Sequence, residues 1–145
     1  MLKEIYAYKR RVFYYETDKM GIVHHSNYIR MFEESRVSLL QQAGMPFEKI
    51  EEAGVMVPVL SAECSYKTPL SFDEEFVVIP KIESFNGLRL EVTYNIIRTS
   101  DNALCAQGRT THCFVDMNMK PIRTKKNYPE IYDVFNKYSG YEVLL

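Results

Sequence analysis

The chain has 145 residues, a length that predicts one domain over residues 1–145 with a core that needs no disulfide or metal support. Hydrophobic residues make up 46% of it and charged residues 26%, which is ordinary for a globular protein. Nineteen acidic residues stand against eighteen basic ones, and the formal net charge of −1 argues against a nucleic acid as the main partner.

The N-terminal part of the chain predicts a strand and then a long helix. The strand is predicted over residues 6–16, and residues 17–26 interrupt it with polar side chains and a glycine. The helix is predicted over about residues 27–43, because apolar or small side chains recur there at spacings of three and four. These side chains are Tyr28, Met31, Phe32, Ser35, Leu39 and Ala43. Ser26 or Asn27 can cap the helix start.

After a short helical turn over residues 46–53, the hydrophobic pattern changes to a period of two, which is typical of strands. Strands are predicted over residues 55–67, 74–85, 88–96 and 103–116. The third alternates most cleanly, with one face formed by Leu88, Leu90, Val92, Tyr94 and Ile96. Asn86-Gly87 before it is a strong hairpin signal, since both residues tolerate positive φ. A terminal helix is predicted over residues 127–138.

This order of elements predicts an α+β fold, because the strands can form an antiparallel meander while the helices cover one face. One long helix packed on a curved antiparallel sheet of about five to six strands is the hotdog arrangement. Such a sheet leaves edges and part of its surface uncovered. Pairing with further copies is therefore expected, as a homodimer or homotetramer.

The segment between the first strand and the long helix carries the candidate chemistry. Backbone N–H groups at a helix start lack intrahelical partners and can hold a developing oxyanion. Asp18 lies a few residues before that start and could act on the same carbonyl as a nucleophile or as a base for water. Gly21 allows a tight turn and leaves room for substrate. An aspartate in such a loop is also a common cap or turn former, so the loop alone leaves both interpretations open.

The wider pattern resembles the 4-hydroxybenzoyl-CoA thioesterase family, and the branch it resembles most is that of the acyl-CoA thioesterases associated with the Tol-Pal system. The resemblance is carried by residues 11–18, which read Arg-Val-Phe-Tyr-Tyr-Glu-Thr-Asp, and by Gly21-Ile22-Val23, His25, Asn27-Tyr28, Glu33 and Arg36. It extends more weakly through Lys67-Thr68-Pro69-Leu70.

The resemblance implies a hotdog hydrolase that cleaves acyl-CoA thioesters as a dimer or tetramer, with no metal and no other cofactor. It implies that Asp18 is the catalytic carboxylate and that the backbone amide of His25 stabilises the oxyanion. It implies substrate contacts from Gly21, Val23, Asn27 and Tyr28. The 4-hydroxybenzoyl enzyme has an aromatic residue at the position of His25, so an aromatic acyl group is less favoured.

One departure from the family pattern is Glu16, where many members have aspartate; it keeps the charge with a longer reach. Glu34 and Glu33 are expected to form surface ion pairs with Arg30 and Arg36, respectively, at helical spacing. The adjacent histidines at 24 and 25 lack a metal-binding pattern such as HExxH.

Other side chains have structural and functional interpretations side by side. His24 is expected to be structural, and His112 to be a hydrogen-bonded histidine within the sheet. The basic residues 120–126, Lys67, Arg89 and Arg109 could receive the phosphates of coenzyme A or could simply be solvated.

Two alternatives to acyl-CoA hydrolysis remain open from the sequence. Acyl carrier protein could deliver the thioester instead of coenzyme A, and the chain could be a non-catalytic acyl-binding or scaffold protein on the same fold. A hotdog dehydratase is disfavoured, because the His-Phe-Pro loop of that class is absent.

The cellular location is predicted from cysteine usage and from the lack of targeting signals. Cys64, Cys105 and Cys113 form no CxxC pair and are odd in number, as expected for reduced thiols. The sequence has no apolar run of about 18 residues and no uninterrupted apolar centre near the N-terminus. These features predict a cytoplasmic protein.

Overall fold

The computed structural model describes residues 2–145, whose elements follow the α+β order expected from the sequence. The strands are β1 (Tyr8–Arg11), β2 (Val59–Tyr66), β3 (Glu75–Phe85), β4 (Arg89–Arg98) and β5 (Ala103–Cys113). The helices are α1 (Ser26–Gln42), α2 (Phe47–Glu52), α3 (Thr124–Asn127) and α4 (Pro129–Lys137), and Tyr14–Glu16 forms a 3-10 turn.

The five strands form one antiparallel sheet in the order β1-β3-β4-β5-β2. The expected meander therefore holds for β3, β4 and β5 only, since β2 pairs with β5 at the far edge. After β2 the chain turns where the N–H groups of Lys67 and Thr68 both bind the carbonyl of Cys105. It then crosses to β3, and this crossing carries residues 67–71 past the loop that contains Asp18.

Helix α1 lies across the sheet with the face that its spacing predicted. All six side chains of that face are buried: Tyr28, Met31, Phe32, Ser35, Leu39 and Ala43. Phe32 stacks on Tyr94 of β4 at 4.4 Å between ring centroids. It also lies directly over Gly108 of β5, where an added Cβ would come within 2.2 Å of the ring. The glycine therefore sets how closely the helix approaches the sheet.

The predicted first strand is wrong beyond Arg11. The N–H of Glu16 binds the carbonyl of Phe13 at 3.0 Å and that of Thr17 binds Tyr14 at 3.1 Å, so these residues turn locally instead of pairing with β3. Tyr14 is 77% exposed, and the apolar pattern that suggested a strand lies mostly on the surface.

The predicted caps of α1 are also corrected. The N–H of Ser26 binds Nδ1 of His24 at 3.2 Å, and Ser26 Oγ lies 2.8 Å from the same nitrogen. The Asn27 amide donates to the carbonyl of Glu16 at 2.9 Å and so ties the preceding loop to the helix. His24 thus has the structural role expected of it.

A chain of buried polar side chains connects α1 to the sheet. Arg36 donates to the Tyr94 hydroxyl at 3.1 Å; that hydroxyl lies 2.6 Å from Thr110 Oγ1, which lies 2.8 Å from Nε2 of His112. His112 was expected to be a hydrogen-bonded histidine within the sheet. Only its Nε2 is hydrogen-bonded, since Nδ1 has no hydrogen-bond partner among residues 2–145. Burial, together with the nearby Arg36 charge, lowers the pKa of His112 to about 4.

The two edges of the sheet differ. Strand β2 is exposed along its length except at Cys64, and it carries the exposed apolar side chains of Val59, Leu60 and Tyr66. Strand β1 is only four residues long, and the segment leading into it is paired with Leu144 near the C-terminus. No helix in the described part of the chain is long and apolar enough to cross a membrane.

Candidate active site

Asp18 begins a tight turn between the 3-10 turn and α1. Its N–H donates to the carbonyl of Ile22 at 2.9 Å, and the N–H of Gly21 donates back to the carbonyl of Asp18 at 2.9 Å. Gly21 has φ +77°, a left-handed conformation that favours glycine. The Asp18 carboxylate accepts the N–H of Met20 through Oδ1 at 2.8 Å. Oδ2 has no hydrogen-bond partner within residues 2–145, so half of the carboxylate is available to a ligand.

The turn is held on both sides by backbone bonds. Thr17 pairs with Val23, and the N–H of His24 donates to the carbonyl of Glu16 at 2.8 Å. On the other side, the N–H of Val23 donates to the carbonyl of Leu70 at 2.8 Å. The crossing segment after β2 therefore fixes the turn against the sheet.

At the start of α1, one backbone amide is unoccupied. The N–H groups of His24, Ser26, Asn27 and Tyr28 all have hydrogen-bond acceptors. The N–H of His25 has none in the described chain, and His25 is exposed. A free amide on the N-cap residue of a 17-residue helix is suited to an oxyanion, because the helix dipole adds positive potential there.

Asp18 and His25 both line one pocket, which has a cavity volume of about 290 Å³. It is lined by Asp18, Met20, Ile22, Val23, His25, Tyr28, Tyr66, Lys67, Thr68 and Pro69. Of the residues expected at the site, Asp18, Val23, His25 and Tyr28 share this lining. Gly21 shapes the turn beside it, and the Asn27 side chain is turned towards Glu16.

Tyr66, at the end of β2, forms a wall of the pocket that the sequence interpretation missed. Its hydroxyl donates to the carbonyl of His25 at 3.3 Å, and its ring meets that of Tyr28 edge-on at 5.2 Å. Burial raises the pKa of Tyr28 to about 12, so this phenol stays protonated at neutral pH. The sequence signal that could have found Tyr66 is its place directly before Lys67-Thr68-Pro69-Leu70.

Behind the pocket, Glu16 is buried and paired with Arg10 of β1. Two guanidinium nitrogens of Arg10 reach the two carboxylate oxygens of Glu16, each at 2.8 Å. Burial alone would raise the pKa of Glu16, but hydrogen bonds from Arg10 and from the Phe13 N–H outweigh it and lower that pKa. Glu34 also binds Arg10, at 2.9 Å, so the expected Arg30–Glu34 pair is wrong. Arg36 and Glu33 lie 4.0 Å apart, a weak pair of the expected kind.

The candidate phosphate ligands are scattered. Lys67 lines the pocket, whereas Arg109 pairs with Glu91 at 3.4 Å on the sheet face away from α1, and residues 120–126 lie beyond β5. Across residues 2–145, no group of three or more His, Cys, Asp or Glu side chains is placed to hold a metal ion.

Comparison with known proteins gives consistent matches over most of the chain. A family model described as the thioesterase-like superfamily matches residues 12–134. A protein of Aquifex aeolicus, provisionally named an esterase, is 40% identical over 126 residues, or 87% of this chain and 96% of that protein. YneP of Bacillus subtilis, provisionally named an acyl-CoA thioesterase, is 35% identical over 125 residues, or 86% of this chain and 90% of that protein.

The fold prediction is confirmed by solved structures. The DHNA-CoA thioesterase of Staphylococcus aureus is similar with a TM-score of 0.85 and 27% sequence identity, over 91% of this chain and 89% of that one. Together with the family match, this similarity identifies the long helix on the antiparallel sheet as the hotdog fold.

Proposed function

Because this chain belongs to the thioesterase-like superfamily and is a thioester hydrolase, we propose that it cleaves acyl-CoA thioesters with Asp18 as the catalytic carboxylate. The observation that carries the proposal is that one pocket is lined both by Asp18, whose carboxylate has a free oxygen, and by His25, whose backbone amide has no acceptor within the described residues. Hydrolysis of a thioester needs both groups: one to drive attack on the carbonyl carbon and one to hold the charge that forms on its oxygen.

In the proposed reaction the carbonyl oxygen of the thioester accepts a hydrogen bond from the backbone N–H of His25. Asp18 either attacks the carbonyl carbon itself or takes a proton from the water that attacks. The tetrahedral oxyanion is stabilised by the His25 amide and the α1 dipole, an effect worth about 10²–10³ in rate for one such donor. If Asp18 acts as the base, the C–S bond breaks as the proton that it took from water passes to the sulfur, which releases the free acid and coenzyme A as its thiol. If Asp18 attacks directly, the C–S bond breaks to leave the acyl group on Asp18 as an anhydride and the coenzyme as a thiolate; a water then hydrolyses the anhydride, which frees the acid, restores the carboxylate and supplies the proton for the thiolate.

The remaining residues of the proposed site shape the substrate channel. Val23 and Tyr28 contribute apolar surface for the acyl group, and Lys67 places a positive charge at the same pocket. Gly21 keeps the turn narrow, and Asn27 acts indirectly by holding Glu16. Within the superfamily, the pattern over residues 11–36 supports the 4-hydroxybenzoyl-CoA thioesterase family and its Tol-Pal-associated branch.

The proposed assembly is a homodimer or a homotetramer built from it. The support is β2, an edge strand with exposed apolar side chains, whose last residue, Tyr66, lines the pocket. Light scattering after size exclusion tests this, and a monomer at micromolar concentration would contradict it. We also place the enzyme in the cytoplasm, since Cys64, Cys105 and Cys113 are all free thiols.

The test is thiol release from short, medium, long and aromatic acyl-CoAs by wild type and Asp18→Asn. Asp116→Asn is a matched control, because Asp116 also lies in a turn and accepts the N–H two residues on, at 2.8 Å, away from the pocket. Asp18→Asn should lower kcat by at least about 10²-fold, and Asp116→Asn should leave it within about twofold.

Two results would change the proposal. Activity towards acyl carrier protein thioesters alone would replace coenzyme A as the donor. If wild type cleaves neither donor, or if Asp18→Asn matches wild type, catalysis by Asp18 is refuted; inertness with retained acyl-CoA binding would identify a scaffold protein instead.

A further inference from the structure

Arg10 joins three parts of the fold through one guanidinium group. It lies on β1, facing α1, with a side chain that is 12% exposed. Nη1 and Nη2 bind Glu16 in the loop before Asp18, and Nε binds Glu34 on α1 at 2.9 Å. Nη1 also donates to its neighbouring backbone carbonyl, and the guanidinium lies over the ring of Phe13 at 4.5 Å. Few conformations satisfy all of these contacts at once.

Glu16 passes this constraint to both halves of the proposed site. It is 3% exposed, and its carboxylate also accepts the N–H of Phe13 at 2.8 Å. Its carbonyl accepts two donors from the helix start, the N–H of His24 and the amide of Asn27. Asp18 follows Glu16 by two residues, and His25 follows His24 directly. Through its carboxylate and its backbone carbonyl, Glu16 therefore links Arg10 to both the Asp18 turn and the segment that carries the His25 amide.

We propose that Arg10 is a positioning residue for thioester hydrolysis, because through Glu16 it fixes the separation between the Asp18 carboxylate and the His25 amide. The inference rests on the function proposed above and adds to it a residue outside the pocket. Lysine could not replace Arg10, since an ammonium group cannot give two parallel hydrogen bonds to one carboxylate while reaching a second.

The two kinetic constants should respond differently to the loss of this link. Misplacement of a catalytic group by about 1 Å costs on the order of 10²-fold in rate. Within the described residues, no hydrogen bond or ion pair of Arg10 reaches the pocket walls formed by β2 and its crossing segment, so substrate binding should persist. Arg10→Lys, which retains the charge, should lower kcat at least about tenfold and change KM by less than about threefold.

Two control variants separate positioning from a loss of stability. Arg30→Lys makes the same substitution at an exposed position of α1 that has no role in the proposed site. Ile50→Val shortens a fully buried side chain in α2, away from the loop, and reports what destabilisation alone does to kcat. Both should keep kcat within about twofold of wild type.

A double-mutant cycle then tests whether Arg10 acts through Glu16. If it does, Arg10→Lys and Glu16→Gln together should lower kcat little more than the stronger single change. Additive losses would overturn the link. A folded Arg10→Lys with kcat within about twofold of wild type would overturn the positioning role, provided Asp18→Asn is inactive. An active Asp18→Asn would instead refute the proposed function itself.

Discussion

Gly108 offers a sharp test of how the helix packs on the sheet. Adding a Cβ there would bring it within 2.2 Å of two ring carbons of Phe32 and within 2.9 Å of the carbonyl oxygen of Glu63. The contact with the ring is far inside van der Waals distance, and the contact with the carbonyl oxygen is shorter than a Cβ atom normally makes. Phe32 has 0% exposure and is stacked on Tyr94, so its ring has no free space to enter.

The expected cost of Gly108→Ala comes from two opposing terms. Alanine in a strand is favoured over glycine by about 0.5–1 kcal/mol through backbone entropy. Overpacking a close-fitted core costs about 1–3 kcal/mol, and contacts this short belong at the upper end. The net loss should be about 2 kcal/mol, which for a chain of this length lowers Tm by about 4–8 °C.

Urea unfolding at a fixed protein concentration measures this loss, and Phe32→Leu supplies the control. Leucine lacks the two ring carbons that Cβ would meet but leaves the contact with the Glu63 carbonyl, so Gly108→Ala should cost about 1 kcal/mol less in the Phe32→Leu background than in wild type. Wild-type stability in Gly108→Ala, or strictly additive losses in the double mutant, would refute the packing argument.

Three further predictions concern stability in acid and the turn that contains Asp18. Because the pKa of His112 is lowered to about 4, only the unfolded chain binds a proton at this histidine between about pH 6.5 and 4. The free energy of unfolding, measured in urea, should therefore fall by up to about 3 kcal/mol over this range as the pH is lowered. His112→Gln should remove most of this dependence of stability on pH. The pKa of Glu16 is lowered from 4.5 in the folded protein, so its pairing with Arg10 stabilises the fold fully above about pH 4.5. This stabilisation is lost as the pH falls through the folded-state pKa. If the stability of Glu16→Gln falls as steeply with acid as that of wild type, the prediction is contradicted. Gly21→Ala should cost about 1–2 kcal/mol at φ +77° and lower kcat, as urea unfolding and thiol release would show.

Local periodicity was enough to predict the scaffold. The apolar spacing of α1 and the alternation of β4 are properties of neighbouring residues. Both predicted faces are buried, except for Leu88, which precedes β4 and is half-buried. The pairing of β2 was not predictable in this way, because alternation identifies a strand without identifying its neighbour. The 3-10 turn at Tyr14–Glu16 was missed because three aromatic residues in succession favour a strand by propensity, while local hydrogen bonds decide the turn.

The candidate site was predictable on the side where its residues are close in sequence. Asp18 and His25 belong to one continuous segment, and the family resemblance covers it. Tyr66 lies about forty positions later and reaches the pocket only because β2 pairs at the far edge. Glu34 shows the same limit, since helical spacing favoured Arg30 as its partner while the fold supplies Arg10 from another element.

The unequal edges of the sheet bear on how assembly ends. A second copy that adds through β2 uses up the open edge on both molecules. What remains at each end is the short β1, with the segment before it already paired to Leu144. Growth by sheet extension is therefore self-terminating at two chains. Removing Leu144 by shortening the C-terminus would expose the backbone of that segment. The outer edge of each sheet could then pair with another molecule, and the dimer could add further copies.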